Sequence, residues 1–143
     1  MILLYSSEIL DISGFFIVLV FDSFFFNLYN QDFMFEIYQS EKSGEFYFRL
    51  KASNGQIILS SEGYKQKTNC KNGVESVKKN ATDEKRYETK QAANGKFFFN
   101  LKASNGQVVG KSQMYDTEAS MKGGMESVMK NAVNAEIQDL TTA

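Results

Sequence analysis

Apolar and polar positions alternate along Phe46-Tyr-Phe-Arg-Leu-Lys51 and again along Phe97-Phe-Phe-Asn-Leu-Lys102, a period of two that predicts half-buried strands. Each run leads through Asn54-Gly55 or Asn105-Gly106 into a second apolar run, Ile57-Ile-Leu59 or Val108-Val109, which predicts a tight hairpin. A two-residue loop with positive φ at both turn residues sets Ala52 opposite Ile57, Lys51 opposite Ile58 and Leu50 opposite Leu59. That register gathers Phe46, Phe48, Leu50, Ile57 and Leu59 on one face, joined in the second hairpin by Phe97, Phe99, Leu101 and Val108. We expect this to be the core face. The other face then presents Tyr47, Arg49, Lys51 and Ile58 from the first hairpin, and Phe98, Asn100, Lys102 and Val109 from the second.

After Tyr64 the period changes. Cys70, Val74, Val77 and Ala81 fall on one stripe of a helix, and Met121, Met125, Val128 and Ala132 repeat the spacing. Thr117 is a fair N-cap for the second helix, whereas the first has no comparable residue. Lys78, Lys79 and Lys130 complement the C-terminal ends of the helix dipoles, and Asn80 and Asn131 can leave the helices in a left-handed conformation. Gly73 and Gly124 interrupt good helix formers, which predicts close approach of each helix to the sheet. The last run, Ala135 to Leu140, predicts an edge strand.

These parallels are one duplication. Leu50-Lys-Ala-Ser-Asn-Gly-Gln56 is identical to Leu101-Lys-Ala-Ser-Asn-Gly-Gln107, an offset of 51 residues (101 − 50). The same offset carries Tyr64 onto Tyr115, Gly73 onto Gly124, Glu75-Ser-Val77 onto Glu126-Ser-Val128, and Lys79-Asn-Ala81 onto Lys130-Asn-Ala132. Phe35-Glu36 matches Tyr87-Glu88 if the first copy has one extra residue in the loop near Ser43-Gly44, the counterpart of the Asn94-Gly95 turn. Each copy reads as three strands and a helix. Units this small do not hold together alone, so the two are expected to share one sheet. The boundaries are set at residues 34–83 for the first repeat and 84–143 for the second.

Residues 1 to 33 stand apart. Gly14 to Phe21 is apolar, but Asp22-Ser23 interrupts the run before Phe24-Phe25-Phe26, and a spanning helix wants about 20 apolar residues. A basic n-region and a small-residue cleavage site are both missing. An over-extended translation start before Met34, an unstructured appendage, membrane attachment and packing onto the repeats all remain open, with the membrane disfavoured. These residues carry Glu8, Asp11, Asp22 and Asp32 and no lysine or arginine. From Met34 onward 13 acidic residues (17 − 4) meet 16 basic ones, so the repeats carry +3. That is too small a charge to mark a dedicated nucleic-acid binder.

Composition narrows the chemistry further. Histidine is absent and Cys70 is the one cysteine, which leaves no disulfide, no zinc cage and no Cys-His pair. Cys70 lies on the apolar helix stripe where Met121 is its counterpart, so it reads as a core residue rather than a reactive thiol. Glu75, Ser76 and Lys79, with Glu126, Ser127 and Lys130, read as a solvated helix face with i,i+4 ion pairs, since no base is placed to activate either serine. We expect no catalytic residue, cofactor or metal, and a cytoplasmic location.

Asn72-Gly-Val-Glu-Ser-Val-Lys-Lys-Asn-Ala81, Arg86-Tyr-Glu88 and Phe97-Phe-Phe-Asn-Leu-Lys-Ala-Ser-Asn-Gly106 together resemble the YegP-like family (UPF0339, domain of unknown function DUF1508) of small bacterial and archaeal proteins, over roughly Phe35 to Thr141. Gly123-Gly124-Met125 is looser than the family's Asn-Gly-Ile style, and residues 1 to 33 have no counterpart in it. The resemblance implies an α+β fold in which two tandem β-β-β-α-β repeats form a single antiparallel sheet. The helices then pack on one face, and the repeats exchange their last strands as an internal pseudo-dimer. It supplies no functional residues. The candidate interaction face is therefore the outer sheet surface: Tyr47, Arg49, Lys51, Ile58, Phe98, Lys102 and Val109. Such a surface suits a protein partner, and its aromatic and basic rows also suit weak binding of single-stranded nucleic acid.

Overall fold

The computed structural model describes residues 33–141. In chain order they form β1 (Met34–Gln39), β2 (Phe46–Lys51), β3 (Ile57–Ser60), α1 (Lys67–Asn80), β4 (Tyr87–Gln91), β5 (Phe97–Lys102), β6 (Val108–Ser112), α2 (Glu118–Asn131) and β7 (Glu136–Asp139). The expectations for Gly14 to Phe21, and for residues 1 to 32 generally, lie outside the described residues. Phe33, just ahead of β1, packs partly against the core.

The strands make one seven-stranded sheet in the order β4-β5-β6-β3-β2-β1-β7. Each repeat contributes an antiparallel meander, and the meanders meet where β3 pairs with β6. In that junction Ser60 faces Lys111, its own counterpart at an offset of 51 residues (111 − 60). The pseudo-two-fold axis relating the repeats therefore passes through this pair. Two features depart from a wholly antiparallel sheet with exchanged ends. β7 joins β1 in parallel, and the first repeat has no closing strand of its own, since a short 3₁₀ turn at Glu84–Arg86 runs directly into β4. Tandem connection leaves no spare chain there: the segment that would close the first repeat is already opening the second.

The core explains why the repeats are inseparable. Phe35, Phe48 and Leu50 of the first repeat and Phe99, Leu101 and Met121 of the second belong to one continuous buried cluster under both helices. Cys70, Val74, Val77 and Ala81 bury their stripe there, as do Met121, Val128 and Ala132. At the axis the halves differ in size. Leu59 is fully buried and its counterpart is Gly110, where an added Cβ would stand 2.7 Å from Leu59 Cδ2. One leucine fills space on both sides of the junction.

The helices sit close because Gly73 and Gly124 leave room for the tyrosine beneath each. Tyr64 exchanges backbone hydrogen bonds with Phe46 (2.7 and 2.8 Å), and Tyr115 does the same with Phe97 (2.8 and 2.7 Å). A Cβ on Gly73 would lie 2.6 Å from Tyr64 Oη and 3.0 Å from Phe48 Cε2, and one on Gly124 would run into Tyr115. Thr117 caps α2 by accepting from Ser120 N at 3.1 Å, while Gln66 at the equivalent place makes no side-chain cap. Asn80 and Asn131 do not turn left-handed. Ala81 and Ala132 continue in right-handed conformation, and each asparagine amide donates back to the carbonyl of Ser76 or Ser127 at 2.8 and 2.9 Å.

Candidate interaction face

The face opposite the helices is built by strand alternation, and the expected pairing of Leu50 with Leu59 holds, but next to the loops the hairpins shift the pairing by one residue. The loops Ser53-Asn-Gly55 and Ser104-Asn-Gly106 hold three residues, not two, closed by Ala52 N to Gln56 O (2.9 Å) and Ala103 N to Gln107 O (2.8 Å). Positive φ falls on Gly55 and Gly106, at 83° and 86°. Each hairpin then absorbs an extra residue as a bulge: Lys51 pairs with Ile57 while Leu50 pairs with Leu59, and Lys102 pairs with Val108 while Leu101 pairs with Gly110. The consequence for the candidate residues is direct. Ile58 turns into the core, 7% exposed, and Ile57 stands outside at 38%. Val109 packs partly on the core and Val108 is exposed, so the aliphatic members of the outer face are Ile57 and Val108.

Tyr47, Arg49, Lys51, Phe98, Asn100 and Lys102 do lie on the outer face, half-buried among their neighbours. Glu36 and Glu88 lie there too, and they change its electrostatics. In β1, Phe35 and Ile37 point to the core, so Glu36 points outward and sits across from Arg49. Its carboxylate accepts from Arg49 Nε at 2.8 Å and from Lys51 Nζ at 3.1 Å. Burial pulls the Glu36 carboxyl upward, but the hydrogen bonds from Arg49 and Lys51 outweigh it and hold the group below its ordinary value. Glu88 plays the same part in the second repeat, 3.2 Å from Lys102 Nζ and 3.9 Å from Lys90 Nζ. The cations read from the sequence as phosphate holders are thus neutralised within the sheet. Matching Glu36 with Glu88 and applying strand alternation to β1 is the signal that finds these partners.

The aromatic rows differ between the repeats. Tyr38 stacks on Tyr47, with ring centroids 5.6 Å apart and planes 17° from parallel, and the Arg49 guanidinium lies 4.7 Å from the Tyr38 ring. In the second repeat Lys90 stands opposite Phe98 where Tyr38 stands opposite Tyr47. Phe98 has no aromatic cover among the described residues and lines a groove of about 520 Å³, with Lys111 Nζ 4.6 Å from its ring centroid.

Elsewhere the polar groups serve the fold. Burial raises the Cys70 thiol to about 11, with the Asp139 charge adding to the effect. Ser61 and Ser112 hydroxyls each accept from a strand amide, Phe48 N and Phe99 N, at 2.9 Å. The expected pairs Glu75–Lys79 and Glu126–Lys130 are not closed among the described residues, and an ion pair on α2 lies about two turns earlier, Glu118–Lys122 at 3.4 Å. No helix among the described residues is long and apolar enough to cross a membrane.

The chain matches the family model for the domain of unknown function DUF1508 twice, at residues 41–88 and 92–139. It is 60% identical over 100 residues to the UPF0339 protein in the ptx operon 5′ region of Stutzerimonas stutzeri, covering 70% of this chain and 90% of that one. It is 50% identical over 97 residues to the UPF0339 protein YegP of Escherichia coli K12, covering 68% and 88%. Two solution NMR structures resemble it. A UPF0339 protein of Shewanella oneidensis superimposes with a TM-score of 0.72 at 44% identity, covering 77% of this chain and 92% of that one. YegP of E. coli, described as a protein of unknown function, gives 0.73 at 45% identity, covering 79% and 97%.

Proposed function

The chain belongs to the DUF1508 (UPF0339) family, and from that premise we propose that it is a non-catalytic, cytoplasmic protein-interaction module that docks a partner on the outer face of its sheet and acts as a single chain. The observation that supports this reading best is the composition of that face. Both helices lie on the other side, so Tyr38, Tyr47, Ile57, Phe98 and Val108 are left at the surface while Glu36 and Glu88 satisfy the neighbouring cations. A surface of aromatic and aliphatic groups on which Arg49, Lys51 and Lys102 are already paired gains more from apolar burial against protein than from neutralising phosphates. The absence of histidine and the buried thiol support the non-catalytic part.

Photo-crosslinking side chains placed at Lys51 and at Lys79 test the reading, since these positions lie on the sheet face and on the helix side. We expect discrete protein adducts from position 51 that persist in high salt. Adducts from position 79 alone would refute the proposal. The second reading, weak binding of single-stranded nucleic acid, draws on Tyr47, Phe98 and the lysines beside them. An amide NMR titration with mixed-sequence single-stranded RNA decides it: salt-sensitive shifts at Tyr47, Arg49, Lys51, Phe98 and Lys102 favour it, and an unmoved spectrum removes it.

A further inference from the structure

The stack in the first repeat shows what the groove in the second lacks. There Tyr38 lies flat on Tyr47, and Arg49 sits over Tyr38. At the corresponding places in the second repeat stand Lys90, Phe98 and Asn100, so the aromatic floor survives without its aromatic cover. Ile57 and Val108, 38% and 36% exposed, form aliphatic walls beside it. Lys111 projects over the floor and makes no ion pair among the described residues, and Lys90 reaches its nearest carboxylate only at 3.9 Å. Glu62 is the one acidic residue lining the groove among the described residues, against those two lysines.

We propose that this groove receives an aromatic side chain flanked by carboxylates, presented by a partner protein. The ring takes the place over Phe98 that Tyr38 takes over Tyr47, and the carboxylates meet Lys111 and Lys90. The groove is lined by exposed Ile57, Val108 and Lys111 and lies open to solvent, whereas small-molecule sites bury most of the ligand. Nucleic acid is a poorer match, because Arg49, Lys51 and Lys102 are held by Glu36 and Glu88, so no row of unpaired cations continues from the groove to follow a phosphate backbone. The inference rests on the protein-interaction reading and names the chemistry of the partner.

The chain contains no tryptophan, so the emission of a tryptophan peptide reports its own environment. The blocked peptide Gly-Asp-Trp-Glu-Gly is titrated with the full-length chain beside Gly-Lys-Trp-Lys-Gly. We expect a saturable blue shift for the acidic peptide and weaker binding of the basic one. Lys111→Glu should weaken the acidic peptide about ten-fold and reverse the preference, whereas Tyr47→Ala should change little. Lys111 is exposed, so its reversal leaves the core intact, and circular dichroism checks this. Equal binding of the two peptides, or an acidic peptide indifferent to Lys111→Glu, overturns the inference. So does a single-stranded oligonucleotide that binds the groove while the acidic peptide does not. If the peptide fails but adducts still form from position 51, this inference falls and the broader interaction reading stands.

Discussion

Tyr38, Tyr47, Arg49 and Glu36 complete one another in the first repeat, while Lys90, Phe98, Asn100 and Glu88 in the second leave an aromatic ring uncovered among the described residues and a groove beside it. The strands beneath are the same, with matching registers between β1 and β2 and between β4 and β5. Duplication has kept the backbone and the core while the outer faces have diverged, one toward closure and the other toward exposure. Where two copies of one scaffold differ in this way, the side with unmet contacts is the better place to look for a partner.

The sharpest way to probe the relation between the halves is at their junction. Leu59→Ala should cost about 2 to 5 kcal/mol, and Gly110→Ala alone about 1 to 3 by overpacking against Leu59. If the leucine fills space for both halves, the double variant is less destabilised than the sum in urea denaturation; full additivity would break that link. Next comes the outer face. Glu36→Gln removes a nearly buried acceptor from two cations and should cost about 1.5 to 3 kcal/mol, while Glu88→Gln should leave the urea midpoint almost unchanged. Equal effects would mean that the faces differ less than their geometry implies.

The helix caps give a smaller contrast of opposite sign. Thr117→Ala should lower stability by about 1 kcal/mol, whereas Gln66→Thr should raise it by about 0.5 to 1 kcal/mol, because Gln66 already has extended N-cap backbone and makes no side-chain cap. The smallest effect is at β7. Hydrogen bonds from Lys67, at 2.5 Å, and then from Thr141 hold the Asp139 carboxyl well below its ordinary value of 3.8. A depressed carboxyl contributes stability that is present above its unfolded value and is lost as pH falls through the folded one. Protection of the Leu140 amide, bonded to Ile37 O at 2.8 Å, should therefore decline as pH drops below about 3.8, with β5 and β6 amides keeping theirs. Asp139→Asn should abolish that pH dependence.

Much of this molecule was legible in its sequence because two copies vote on every position. The offset of 51 residues revealed the repeats, the helix stripes and the core phenylalanines, and the extra loop residue near Ser43-Gly44 is present, closed by Ser40 N to Glu45 O at 2.9 Å. What escaped was decided by backbone hydrogen bonding that periodicity does not report. Asn-Gly was read as a two-residue turn, and a three-residue loop followed by a bulge moved Ile57 outward and Ile58 inward. Glu36 and Glu88 were seen as a repeat match but not as partners of Arg49 and Lys102, because that needs β1 folded back on β2. The parallel seating of β7 depends on a contact more than a hundred residues away in sequence, beyond the reach of any local pattern.

The Ser60–Lys111 pair has one more consequence. A residue on a two-fold axis in a symmetric assembly of identical chains meets a second copy of itself, so it must tolerate its own charge and bulk. Lysine is a poor occupant of such a place, since two ammonium groups would repel across the strand pair. Joining the halves in one chain removes that restriction, because each side of the axis is then encoded separately. Here a small serine faces the lysine, and Lys111 is thereby available to reach over Phe98.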